Sequence, residues 1–207
     1  KQFKSACFDF YYQKTLLRIN KYHEKHQVKD QSSYINGIKV PSIEKMFSLI
    51  DWDYLSDGQI SNFHGDLQFD NVLLKDDGDF LLLDWRQDFS GILEYGDQYY
   101  DLAKLNGGMQ VSYKLIKQGG FSFHENKSGK IFLEHDTPKE LLNAREIFKS
   151  FLIDKDLNFN KVQVLTSLIY LNMSPMHHEP FNHFIYNFGK LSLYKALSDQ
   201  GKVYGKK

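Results

Sequence analysis

Apolar residues return every three or four positions between Ala6 and about Lys25, at Phe8, Tyr11, Tyr12, Leu16, Ile19 and Tyr22. That spacing predicts an amphipathic helix whose broad aromatic face packs into a core. Gln27–Val40, with Ser32-Ser33 and Asn36-Gly37, reads as loop. Ser42 offers an N-cap to a short helix carrying Ile43, Met46, Phe47 and Ile50, and a second short helix is expected around Trp52, Tyr54 and Leu55. The pattern then changes. Asn71–Lys75 and Phe80–Asp84 are brief apolar runs separated by Asp76-Asp77-Gly78-Asp79, the turn chemistry of a hairpin. Further on, Asp97 stands where it can cap a helix running from Asp101 to Ser112, inside which Gly107-Gly108 marks either close packing or a kink. Phe121–His124 and Ile131–Leu133 predict a second small hairpin. Helices follow over Pro138–Leu152, Lys161–Asn172 and Pro180–Leu197, and Gly201–Lys207 reads as a frayed tail. The expectation is an α+β, mainly helical fold forming one unit over residues 1–207.

Composition narrows the classes of function. A chain of 207 residues, 42% hydrophobic and 25% charged, can bury a substantial core. Lys plus Arg and Asp plus Glu number 26 each, so there is no net basic field to attract nucleic acid, although a local patch is compatible with that balance. Cys7 is the lone cysteine, which excludes an intrachain disulfide and a cysteine-based zinc site and fits a reducing, cytoplasmic setting. No apolar run reaches transmembrane length, and no signal-peptide pattern is present. Thirteen Tyr and 17 Phe could build an aromatic cage for a quaternary ammonium group, but most are expected in the core.

The chemistry concentrates in Phe63–Asp88, FHGDLQFDNVLLKDDGDFLLLDWRQD. Asp66 and Asn71 enter the first hairpin and Asp84 leaves it, so the turn is expected to bring their oxygens towards one point. Such a set suits a hard cation like Mg²⁺ when phosphates supply the remaining ligands. The interval from Asp66 to Asn71 equals that of the protein-kinase catalytic loop, in which the Asp accepts an alcohol proton and the Asn binds metal. The Arg of that loop is replaced by Gly65, and Asp84-Trp85-Arg86 is not a DFG. His64 reads as loop support for Asp66, since no serine or cysteine is placed to make it part of a triad. Gly65 suits a tight backbone path.

The ordered set HGDLQFDNVLL, LLLDW and EYGDQYYDLAKL resembles the aminoglycoside phosphotransferase and choline kinase family, over about a fifth of the chain. The resemblance implies the C-terminal, larger lobe of a protein-kinase-like fold with a catalytic β-hairpin, transferring phosphate from ATP or GTP to a hydroxyl of a small molecule such as a sugar, aminoglycoside, choline or related amino alcohol. It implies Asp66 as base, Asn71 and Asp84 as Mg²⁺ and nucleotide ligands, and Asp97 and Asp101 in the Gly96–Ala103 segment as structural support. Gln98 stands where family members often carry Pro. Only Gly37 and Gly58 precede the HGD motif, so the nucleotide lobe with its glycine-rich loop is expected to lie outside this chain, in a longer parent.

Arg86 is a weaker candidate for phosphate contact, with an ion pair to Asp88 or Glu94 as its alternative. Asp88, and His177, His178 and Glu179 within MSPMHHEPF, are outlying candidates for the acceptor pocket. Two other functions fit the same residues. One is a metal-dependent hydrolase using His64, Asp66, Asp84 and Asp88; the other is a degenerate kinase-like domain used for binding or interaction.

Overall fold

The computed structural model describes residues 1–201. The chain opens with α1 (Gln2–Phe8), a π-helical turn (Asp9–Gln13) and α2 (Lys14–His26). These run on as one rod, because the residues at both junctions keep right-handed helical dihedrals. Gln27 ends it in the left-handed conformation. The predicted helix is therefore present and longer at both ends.

Gln27–Val40 is not simply loop. β1 (Ser33–Ile35) and β2 (Ile38–Val40) form a hairpin across Asn36-Gly37, both at positive φ, which is the turn chemistry that Asn-Gly favours. The hairpin also joins the later one, β7 (Phe121–Glu125) and β8 (Lys130–His135), in a sheet of order β2-β1-β8-β7 with β1 parallel to β8. Asn36 makes the seam. Its amide donates to Leu133 O at 2.8 Å and accepts from Leu133 N at 2.7 Å, extending the ladder with a side chain. Three-residue strands gave too short a pattern to signal this in the sequence.

The short helices α3 (Ile43–Phe47) and α4 (Trp52–Leu55) are capped by Ser42 and Asp51. The first predicted hairpin is β4 (Val72–Leu74) with β5 (Phe80–Leu82), in register Val72 to Leu82. Its entry is tied to the next helix through β3 (Ile60–Ser61) and β6 (Gly96–Asp97), which pair antiparallel. α5 (Gln98–Gln110) passes through Gly107-Gly108 without interruption. Close packing is the reason: Tyr170 donates to Gly107 O at 2.9 Å, and a Cβ on Gly108 would lie 3.2 Å from the Phe69 ring.

After the short α6 (Tyr113–Lys117) and the β7–β8 hairpin come α7 (Lys139–Asp154), α8 (Phe159–Met173) and α9 (Phe181–Asp199). α8 is buried nearly all round, with Val162, Val164, Leu165, Leu168, Ile169 and Leu171 among its buried residues, so it forms the centre against which α2, α5, α7 and α9 pack. The fold is α+β and mainly helical, as the patterning predicts. No helix among the described residues is long and apolar enough to cross a membrane. Of the tail expected to fray, residues 202–207 lie outside the described residues.

Candidate functional site

The HGD loop is shaped from below by two buried aspartates. Asp97 accepts the Tyr11 hydroxyl at 2.5 Å, Gln59 N at 2.8 Å and Tyr99 N at 3.1 Å, so it caps α5 while tying the first helical rod and the β3 entry to the same point. Burial raises its pKa, and the Tyr11 bond opposes that rise. One turn on, Asp101 spreads its two oxygens under the loop, accepting His64 N at 2.8 Å and Gly65 N at 2.7 Å. Burial raises the Asp101 pKa as well, against the pull of those two N–H groups.

Above this brace the backbone turns sharply. Gly65 sits at φ +80°, where a Cβ would strike Phe63 Cε1 at 2.7 Å and come closer still to Arg86 Cβ. His64 is buried and its Nδ1 accepts Asp66 N at 3.2 Å, so the neutral ring carries its proton on Nε2. That buried Nε2 has no partner, and the ring lies 4.8 Å from that of Trp85.

Asp66 is held at both carboxylate oxygens. Lys104 reaches Oδ1 at 2.6 Å, while Asn71 Nδ2 at 3.2 Å and Gln68 Nε2 at 3.4 Å reach Oδ2. Asn71 also donates to Asp66 O at 2.9 Å. The amide nitrogen is thus spent on the loop, and Oδ1 is the atom left for a cation. Asp84 follows from the hairpin: Leu83 N donates to Asn71 O at 2.9 Å, and Arg86 N donates to His64 O at 2.8 Å, so the intervening turn is pinned on either side to the loop. Asp84 itself is exposed at φ +54°, and among the described residues its carboxylate takes part in no hydrogen bond or ion pair. An amide oxygen and a carboxylate on adjacent, mutually pinned segments fit the donor chemistry of Mg²⁺.

Asp66 also lines a cavity of about 390 Å³ between the helices. Its floor includes Leu165, Leu168 and Ile169 of α8, and its walls include Phe10, Tyr11, Tyr100 and Tyr113. Five cationic side chains border it, Lys14, Arg18, Arg86, Lys104 and Lys117, against the carboxylates of Asp66 and Asp70. Burial, with Arg86 and Arg18 close by, pushes the Lys14 ammonium down to about 8. Among the described residues, only Lys104 of the five forms an ion pair. The volume lies in the range of small-molecule sites.

The outlying candidates separate. His177 lines the cavity with a buried, unpartnered Nε2, and burial lowers its pKa. His178 and Glu179 are exposed and do not border the cavity, so the three consecutive candidates do not share it. The bend between Met176 and α9 sends the consecutive side chains different ways. Asp88 is drawn into its own turn, accepting Gly91 N at 2.7 Å, and is likewise off the cavity. Arg86 makes no ion pair with Asp88 or Glu94; its Nε lies 3.3 Å from Gly65 O, to which it donates.

Lys14, Arg18, Lys104, Lys117 and Tyr113 are cavity residues that the sequence reading did not single out. Lys14 and Arg18 share a helix face four residues apart, and Lys104 follows directly from the Asp-Leu-Ala of the α5 motif. Those were the available signals, and a charge on an amphipathic helix reads equally well as solvated surface.

A second group, His26, Glu179 and His183, has ligand atoms close enough for a metal. The hydrogen bonds argue otherwise. Asn182 Oδ1 accepts His183 N at 2.7 Å, which turns its Nδ2 towards His26 Nε2 at 3.0 Å. A neutral His26 therefore carries its proton on Nδ1, the atom 3.4 Å from Glu179, and that nitrogen has no lone pair to offer.

Comparison of the chain with protein-family models, curated proteins and solved structures returned no match.

Proposed function

We propose that this chain is the catalytic, larger lobe of an ATP- or GTP-dependent phosphotransferase acting on a hydroxyl of a small molecule. The reading rests above all on Asp66. Its carboxylate is clamped by Lys104, Gln68 and Asn71 at the edge of an open cavity, with Asp84 on a turn bonded to the same loop. A carboxylate held in this way can orient an acceptor hydroxyl lying in the cavity and take its proton as the new P–O bond forms. Asn71 through Oδ1 and Asp84 through its carboxylate would hold Mg²⁺, whose contribution is to neutralise charge on the nucleotide phosphates. Asp101 and His64 fix the backbone from which Asp66 projects.

The surface of the hairpin supports a covering nucleotide lobe. Leu74, Phe80 and Leu81 on the two strands and Trp85 in the turn beyond them are all exposed, Leu74 to 69% and Phe80 to 67%, more apolar surface than an isolated hairpin normally leaves in water. A hydrolase built on His64 and Asp88 is disfavoured, because His64 Nδ1 accepts a backbone N–H and Asp88 caps its own turn.

The test pairs two substitutions in the protein assayed with any upstream coding sequence. Asp66→Asn is expected to lower turnover by about 10²–10⁴-fold with little change in nucleotide affinity. Asp84→Asn is expected to weaken Mg-nucleotide binding in a titration. Full activity in both variants would remove the assignment.

A further inference from the structure

We infer that the cavity beside Asp66 takes an anionic acceptor: a small hydroxylated molecule carrying a phosphate or carboxylate group that Lys14, Arg18, Arg86 and Lys117 receive. The inference rests on the phosphotransferase reading for which end of the ligand reacts. The charge at the site is local, because the whole chain balances at 26 basic and 26 acidic residues whereas the cavity border holds five cations and two carboxylates. One carboxylate and one cation are consumed by the Asp66–Lys104 pair. Among the described residues the other four cations have no ion pair, and Lys14 is half-buried, with burial, Arg86, Arg18 and Lys104 acting against its charge and Asp88 alone opposing them. Like charges gathered over an apolar floor repel one another more strongly than at an open surface, and a bound anion removes that repulsion.

The position of the cavity separates this anion from the nucleotide phosphates. Neither Asn71, nor Asp84, nor any residue of β4 or β5 borders it; its walls come from the first helical rod, α5, α6, α8 and the Met176–His177 segment after it, joined by Asp66, Gln68 and Asp70 of the loop and by Arg86 just past the hairpin. Asp66 stands between the two regions, as an acceptor-orienting group must. His177 Nε2, buried and unpartnered on the same lining, supplies a further polar atom for a hydroxyl or an anionic oxygen. A cationic amino alcohol would meet five like charges around this apolar and aromatic lining, opposed only by Asp66 and Asp70.

The experiment is calorimetric titration of the intact chain, followed by amide shift mapping, with inorganic phosphate, glucose 6-phosphate, gluconate, glucose and choline as probes. Glucose 6-phosphate or gluconate is expected to bind at least about tenfold more tightly than glucose, and the stronger of the two identifies phosphate or carboxylate as the recognised group. Lys14→Met with Arg18→Met is expected to abolish that advantage while leaving the thermal midpoint equal or higher, since repulsion is removed. The inference is overturned if glucose or choline binds as tightly as the anions, if no anion binds at millimolar concentration, or if the double variant binds them undiminished. ATP shifting the Lys14 and Arg18 amides when the phosphate monoester does not would also overturn it, by assigning the cations to nucleotide. No step of this titration requires phosphoryl transfer, so a failure of the Asp66 and Asp84 roles registers separately.

Discussion

Replacing Asp101 by Asn tests whether the reactive loop depends on a buried charge. The carboxylate accepts two backbone N–H groups, from His64 at 2.8 Å and Gly65 at 2.7 Å, and is itself 8% exposed. An Asn of nearly the same shape keeps one acceptor oxygen but presents an NH₂ to the other N–H. One buried donor then has no partner, at a cost of about 1–3 kcal/mol, and the surviving bond loses its charge assistance, worth about a further 1 kcal/mol. The expected loss is therefore about 2–4 kcal/mol. For a domain of this size, that is a fall of roughly 4–16 °C in thermal midpoint. Urea unfolding gives the free energy, and hydrogen exchange at the His64 and Gly65 amides locates it. A change below about 1 kcal/mol, with both amides still protected, would refute the reasoning: it would mean that burial has already made Asp101 neutral and that Asn reproduces its pattern of one acceptor and one donor.

Gly65→Ala is expected to cost about 2–4 kcal/mol, because a Cβ at φ +80° meets both Phe63 and Arg86. Gly78→Ala, at φ +88° with open space around it, should cost only about 1 kcal/mol, and equal losses in urea unfolding would contradict the crowding argument. Lys14 is depressed to about 8 in the folded chain, from 10.5, so between those values the unfolded chain binds more protons and stability attributable to this residue rises with pH. Below about pH 8 its charge opposes folding in full. Lys14→Met should therefore flatten the climb between about pH 8 and 10.5, as read from chemical denaturation at stepped pH; an unchanged slope would show that the ammonium is not held down by burial and its cationic neighbours.

The long helices were legible because their apolar residues repeat over many turns. The β4–β5 hairpin was legible because Asp76-Asp77-Gly78-Asp79 interrupts two apolar runs. The order of Asp66, Asn71 and Asp84 along the chain already marked where chemistry should be sought, since residue type and interval are properties of the sequence. What that order left open was which side chains share a space. Only the packing of α2, α5 and α8 brings the Lys14–Arg18 face together with the distant Lys104 around Asp66, and only the bend before α9 directs His178 and Glu179 away from it. The β1–β8 pairing was equally hidden, because a three-residue strand carries almost no periodicity and its partner lies beyond α3, α4, α5, α6 and the intervening strands. Local pattern reports what a segment prefers; the neighbours of a side chain are chosen by how whole elements cover one another's apolar faces, and that choice exists only in the folded chain.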